Sequence, residues 1–362
     1  MLAETPLRRQ AALRERIGAL ELDGLLVQSP PNNRYLTGFT GSAGLLLMRA
    51  EETVLITDFR YQAQAPREAG RVARIEVDQA NLWDRLKRVL GERPSGRLGF
   101  EAHVATVRDR ERLEPCASGR WQPTADLVER LRTIKDAEEV AAIRQAAALG
   151  QEALAETLPA IRVGQSEYAV AALLEAALRR RHSQWHPFPT IVASGPRAAL
   201  PHAGTSERGL EAGDWLLLDF GAQVDGYCAD LTRTVVVGRR ADERQRQVYE
   251  TVRQAQRRAI DHVRPGMAAR EADLLAREVI VQRGFGDAFG HSLGHGLGLE
   301  VHEAPRVSPT AEGVLPAGSV VTIEPGIYLP GWGGVRLEDD VHIAPEGPVL
   351  LSDNRVELLE LV

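Results

Sequence analysis

The chain has 362 residues, 44% hydrophobic and 26% charged, with a formal charge of −6, so it exceeds one ordinary hydrophobic core and two domains are expected. Its acidic balance and scattered Lys and Arg leave no electrostatic footprint for nucleic acid, and two isolated cysteines, Cys116 and Cys228, argue against a disulfide framework or a thiolate zinc site. No secretory h-region and no run of membrane-spanning length is visible, so a cytoplasmic protein with no membrane partner is the expectation.

Residues 7–20 read as an amphipathic helix and 22–28 as a short apolar strand. Further strands are expected at 44–48, 53–57, 73–77 and 97–101, with helical patterns near 60–70, 80–90 and 106–115 between several of them. This alternation predicts an α/β unit over 1–125. Its chemistry is sparse: His103 is its one histidine, and no carboxylate cluster stands out.

The second unit, 126–362, opens on a long helix running from the 123–140 stretch to about Leu158. Ser166 is a candidate N-cap for the next helix. Asp242 and Gln245 have capping-box spacing ahead of a helix to about His262, and a further helix covers roughly 270–283. Strand-like runs lie at 189–194, 214–223, 227–237, 289–293, 319–328 and 334–343. The fold class expected is α+β, with helices covering one face of a mostly antiparallel sheet in this second unit.

Three stretches carry chemistry. Asp225-Gly226 is a strong hairpin signal, and it puts Asp219 and Asp230 on neighbouring strands. A single Asp usually caps a turn, but Asp219 follows the apolar run WLLL, where a buried carboxylate needs a cation or donors. GHSLGHGLGLEVHE then gathers His291, His295 and His302 among dense glycines from Gly290 to Gly298, which let backbone approach a compact site. Glu324 ends an apolar strand and Glu338 follows Arg336; a salt bridge to Arg336 and an exposed acidic turn are their respective bland alternatives. Together, two Asp, one His and two Glu make a pocket too negative to stay unneutralised. Two divalent cations resolve the charge, and such a pair holds a bridging water as hydroxide and polarises a carbonyl, which is hydrolytic chemistry. The hard donor set favours Mn2+, with Co2+, Fe2+ or Zn2+ as substitutes.

These words, in this order, resemble the pita-bread metallopeptidase family that includes methionine aminopeptidase, aminopeptidase P and prolidase. NRYLTGFTGSAGLLL (33–47) and TDFRYQAQA (57–65) are similar to the creatinase-like N-terminal domain of its proline-directed branch. The resemblance implies a metal set of Asp219, Asp230, His295, Glu324 and Glu338, with Asp230 and Glu338 bridging. It implies Glu324 as proton shuttle, His202 and His302 as groups that stabilise the tetrahedral intermediate and orient the peptide, His291 at a proline pocket, and Arg336 as a clamp beside the last ligand; the sequence's own candidates for the ring-shaped pocket are Phe188, His291 and His302. Tyr227 and Thr232 flank Asp230 as supports or as plain strand residues. His182, His186, His262 and His342 fall outside the motifs and read as structural or surface residues.

The implied activity is metal-dependent hydrolysis of the X-Pro bond at a peptide N-terminus or in an Xaa-Pro dipeptide, in a homodimer. Aminopeptidase P and Xaa-Pro dipeptidase are separated by whether the far side of the pocket captures a dipeptide's carboxylate. Methionine aminopeptidase-like activity and a non-catalytic peptide-binding protein are the other readings.

Overall fold

The apolar runs of the front segment pair into one sheet. In the computed structural model, which describes residues 4–93, 96–117, 120–352 and 357–362, packing divides the chain between Arg132 and Thr133. The first unit holds β1 (Gly24–Val27), β2 (Leu45–Arg49), β3 (Thr53–Asp58), β4 (Arg74–Asp78), β5 (Leu98–Glu101) and β6 (Trp121–Thr124), in the order β4-β3-β2-β1-β5-β6. β1 and β3 pair antiparallel with β2, while β3–β4, β1–β5 and β5–β6 are parallel. Leu26, Leu47, Val54 and Phe100 meet Leu86, Val89 and Leu90 of the helix Leu82–Glu92 in its core. A helix at Pro30–Thr37 was not expected, although proline at its start and Gly38 in the left-handed conformation (φ 80°) at its end are the signals that mark it.

The helix expected from the 123–140 stretch onward is not continuous. Trp121–Thr124 is strand, Glu129–Arg132 a short helix, and the long helix is Ala137–Thr157. Asp136 decides its start, because its carboxylate accepts from Glu138 N and Glu139 N while Glu139 reaches back to Asp136 N. Ser166 and Asp242 cap Glu167–Arg180 and Glu243–His262 as the sequence predicts.

The second unit builds three sheets from β7 (Ile191–Ser194), β8 (Trp215–Val224), β9 (Tyr227–Val237), β10 (Gly294–Gly296), β11 (Glu303–Val307), β12 (Val320–Ile323), β13 (Gly326–Leu329), β14 (Gly333–Arg336), β15 (Asp339–Ala344), β16 (Gly347–Leu350) and β17 (Glu360–Leu361). Their orders are β17-β9-β8-β7, β11-β10-β12-β15-β16 and β13-β14, with every pair antiparallel except β17–β9. The fold is thus α+β, with mostly antiparallel sheets and helices against them. Side chains alternate faces along a strand. Leu216, Leu218, Phe220 and Leu231 pack under the helices Ala137–Thr157 and Glu167–Arg180, whereas Leu217 and Val236 turn to the core shared with Glu243–His262 and Ala269–Gln282. Asp219, Asp230 and Thr232 have the parity of that second face. Among the described residues no helix is long and apolar enough to cross a membrane.

Three expected strands differ. Residues 289–293 are not strand; β10 starts at Gly294. Side chains take the backbone groups that a ladder would use: Arg277 donates to Phe289 O and His291 O, and Leu293 N donates to Asp273. The runs 319–328 and 334–343 each break, one at Glu324-Pro325 and the other at Leu337-Glu338, where the hairpin leaves one sheet and joins the next. Proline lacks the ladder N–H, and Glu338 N bonds instead to Thr232 O at 3.1 Å.

Candidate metal centre

β8 and β9 turn on Asp225 (φ 47°) and Gly226 (φ 77°), the left-handed pair of a two-residue hairpin. Register sets Asp219 opposite Thr232 and Gly221 opposite Asp230, so the two aspartates are diagonal neighbours on one face. The two strand breaks deliver Glu324 and Glu338 to the same place. β10 brings His295 between Gly294 and Gly296, where a Cβ would lie 2.0 Å from Thr322 O and 2.2 Å from Ala304 O respectively. These glycines are what allow the His295 backbone to approach so closely.

One ligand atom from each of Asp230, His295 and Glu338 lies within 4.8 Å of the others. His295 Nε2 is 3.7 Å from Asp230 Oδ2 and 3.5 Å from Glu324 Oε1. Its Nδ1 faces Gly296 O at 3.0 Å, which places the proton on Nδ1 and the lone pair of Nε2 toward the carboxylates. Burial pulls His295 down to about 4, so the ring is neutral. Asp219, Asp230 and Glu338 are buried. Burial raises all three, with neighbouring carboxylates adding to the rise at Asp230 and Glu338 and Arg336 opposing it at Asp219. Burial pushes Glu324 up to about 8.

Asp219 Oδ1 and Asp230 Oδ1 are buried and make no hydrogen bond to a described residue. Orphaned carboxylate oxygens in this position are high in free energy unless a cation meets them. Four carboxylates and one neutral imidazole, converging with free acceptor atoms, therefore fit divalent cations.

Arg336 does not form the salt bridge considered for Glu324. Its Nη2 donates to Asp219 Oδ2 at 2.5 Å, its Nε to Thr232 Oγ1 at 3.1 Å, and its Nη1 to Tyr328 Oη at 2.9 Å and Pro201 O at 3.2 Å. Nor is Glu338 an exposed turn, since it is 2% exposed and accepts from Thr232 Oγ1 at 2.5 Å. Tyr328 Oη lies 2.8 Å from His291 Nε2, while His291 Nδ1 meets Ser292 O at 2.8 Å. Burial drives the Tyr328 hydroxyl up to about 12 and His291 down to about 4, so both stay neutral. A continuous chain of bonds thus runs from Asp219 through Arg336 and Tyr328 to His291. Tyr227 turns to Glu139 at 2.9 Å.

His202, His291 and His302 line a cavity of about 1510 Å³ that also takes in the five convergent residues, Arg306 and Phe188. The His302 ring lies 4.3 Å from that of His295, and burial holds His302 below its ordinary value. His186, read as structural or surface, lines the cavity too and stacks on Trp185 at 4.7 Å.

Sequence reasoning missed Tyr328 and Asp340. Asp340 is fully buried, and its Oδ2 accepts from Asp230 N at 3.2 Å; its place in an EDD triplet gave no sign of this. In the first unit His103, Asp126 and Glu129 also come together, at largely exposed positions and from spacings no motif singled out.

A family model described as metallopeptidase family M24 matches residues 141–345, and one described as creatinase/prolidase N-terminal domain matches 9–134. An Xaa-Pro dipeptidase of Pyrococcus furiosus is 36% identical over 93% of the chain and 95% of its own length. Among solved structures, an Xaa-Pro dipeptidase from Bacillus anthracis is 38% identical with a TM-score of 0.95, covering 98% of this chain and 99% of that one. An X-Pro aminopeptidase from Thermotoga maritima is 35% identical with a TM-score of 0.90, covering 97% and 99%.

Proposed function

The chain belongs to metallopeptidase family M24, with a creatinase/prolidase N-terminal domain, and from that premise we propose that it hydrolyses Xaa-Pro bonds in a metal-dependent reaction. The observation that carries this is the convergence of buried Asp219, Asp230 and Glu338 with the partly buried His295 and Glu324, two of the carboxylates keeping an unpaired oxygen. We assign the cations to these five residues, which would hold them through their carboxylate oxygens and the His295 Nε2. When bound, divalent cations supply the positive charge that acidifies a water and polarises a peptide carbonyl. Hard oxygen donors make Mn2+ the metal we propose.

The chain's own residues do the rest. Glu324, held at Oε1 by Thr322 Oγ1 at 3.2 Å, is placed to take the proton of the attacking water and pass it to the imino nitrogen, which on proline has no hydrogen of its own. His302 and His202, on the cavity wall, supply N–H donors where negative charge develops on the carbonyl oxygen. Arg336 holds Asp219 and, through Thr232, Glu338, so two ligand positions share one buried anchor.

Between dipeptidase and aminopeptidase the structure favours the dipeptidase through one feature. Arg306 is exposed on the cavity wall, hydrogen-bonded to Ser292 Oγ, with no carboxylate partner among the described residues. A guanidinium so placed is suited to the carboxylate of a short substrate. Two of the similar proteins bear the name Xaa-Pro dipeptidase. The experiment is a comparison of an X-Pro dipeptide with an X-Pro-Y tripeptide after Mn2+ loading, in wild type and Arg306→Met. Faster turnover of the dipeptide, lost selectively in the variant, supports the assignment. No cleavage of either substrate overturns the Xaa-Pro reading itself.

A further inference from the structure

Lys135 is a lysine whose side chain is 1% exposed, which is rare for this residue type. Its ammonium lies 3.1 Å from Glu303 Oε2, on a side chain 7% exposed. Both ends of this pair are held independently. Lys135 N donates to Gly318 O at 2.8 Å, and the residue immediately precedes the Asp136 cap of a 21-residue helix. Glu303 Oε1 accepts from Glu300 N at 3.1 Å and so closes the 300–303 turn. Gly298 permits this, because a Cβ there would stand 2.8 Å from Glu303 Oε2.

Glu303 directly follows His302. The His302 ring forms no hydrogen bond with a described residue, and its one ring contact is the tilted stack on His295. The backbone on its N-terminal side is a glycine-bearing turn, and the ladder from β10 shifts register between His295 and Gly296, where Gly296 pairs with Glu303. An extra-residue irregularity of this kind re-aims a side chain but leaves the strand locally short of ladder bonds. The start of the loop is held by backbone bonds, Leu297 N to Val320 O at 3.2 Å and Cys228 N to Gly298 O at 2.7 Å, while on the C-terminal side of His302 the adjoining side-chain anchor is Glu303.

We propose that the buried Lys135–Glu303 ion pair is the positioning element for His302, fixing the 297–303 loop so that the imidazole faces the reacting carbonyl. Lys135 acts through Glu303 and touches neither substrate nor cation. The proposal rests on the role given to His302 under the Xaa-Pro reading, but the loop's order is measurable without it.

The test compares wild type with Lys135→Met and with Glu303→Gln, each loaded with Mn2+. Three readouts are taken: metal content, kcat and KM on an X-Pro dipeptide, and backbone hydrogen exchange of a peptide spanning 296–304. The expected result is full metal content, kcat lowered by about tenfold with KM within about twofold, and exchange raised in 296–304 but not in the helix Glu243–His262. Unchanged kcat and exchange in both variants would overturn the proposal. So would a fall in kcat that tracks metal loss, because the pair would then be supporting the ligand set instead. If Lys135→Met does not fold, the isosteric Glu303→Gln decides by the same criteria. If wild type turns over no X-Pro substrate, the Xaa-Pro reading fails, and the exchange arm still decides whether the pair orders the loop.

Discussion

Thr232 donates to Glu338 Oε2 at 2.5 Å, and the same hydroxyl accepts from Arg336 Nε at 3.1 Å. One buried side chain thus joins a ligand-type carboxylate to the guanidinium that pairs with Asp219. Thr232→Val keeps the shape and β-propensity but leaves both partners short of a bond. Each unsatisfied buried group costs about 1–3 kcal/mol. The variant is expected to lose about that much stability by denaturant titration and to bind Mn2+ more weakly, while Thr232→Ser retains both; wild-type metal affinity in the valine variant would count against the link.

Asp230→Asn or Glu338→Gln removes one charge from the set of residues that would hold the cations. Activity is expected to fall at least 100-fold, on the order of the loss of a key electrostatic group, with the circular-dichroism spectrum retained. A near wild-type rate in either variant refutes the assignment.

His302→Ala is expected to slow turnover by about 10- to 1000-fold, the range for a lost oxyanion donor or proton-transfer group, with metal content intact by elemental analysis. Loss of metal would move His302 into the ligand set.

Metal removal should couple stability to pH. Glu324 stands at about 8 through burial, and burial also raises Asp230 and Glu338, whereas unfolded carboxyls titrate near about 4. A raised folded value means the neutral group's stabilisation is complete below the unfolded value and is lost as pH climbs through the folded one. The EDTA-treated protein should therefore show a falling Tm between about pH 5 and pH 9, and the gap to the Mn2+-loaded protein should widen over that window. A flat or rising Tm for the metal-free form is the contrary result, read by scanning calorimetry at stepped pH.

Gly294→Ala places a Cβ 2.0 Å from the backbone oxygen of Thr322. Backbone cannot yield as a flexible side chain can, so β10 must separate from its neighbour. A loss of about 1–3 kcal/mol, the usual range for overpacking, and weakened metal binding through His295 are expected in thermal denaturation and metal titration. Gly290→Ala, which meets nothing within 4 Å, is the matched control.

Much of this was legible because the signals are local. Asp242 with Gln245 and Ser166 with Ala169 settle their helix starts within four residues, and Asp225-Gly226 fixes the register that makes Asp219 and Asp230 neighbours. The five acidic and imidazole residues could be gathered into one site from sequence alone, since their joint charge and their surrounding words point to one chemistry. What the sequence could not decide was everything set by contacts between distant segments. The strand breaks at Glu324 and Glu338 arise from exchange between two sheets, invisible to a period-2 pattern that runs straight through them. Arg336 chooses Asp219 over Glu324, Tyr328 joins His291, and Lys135 meets Glu303 across 168 positions, each because burial makes an unpaired polar group costly and only the folded chain shows which partner is within reach.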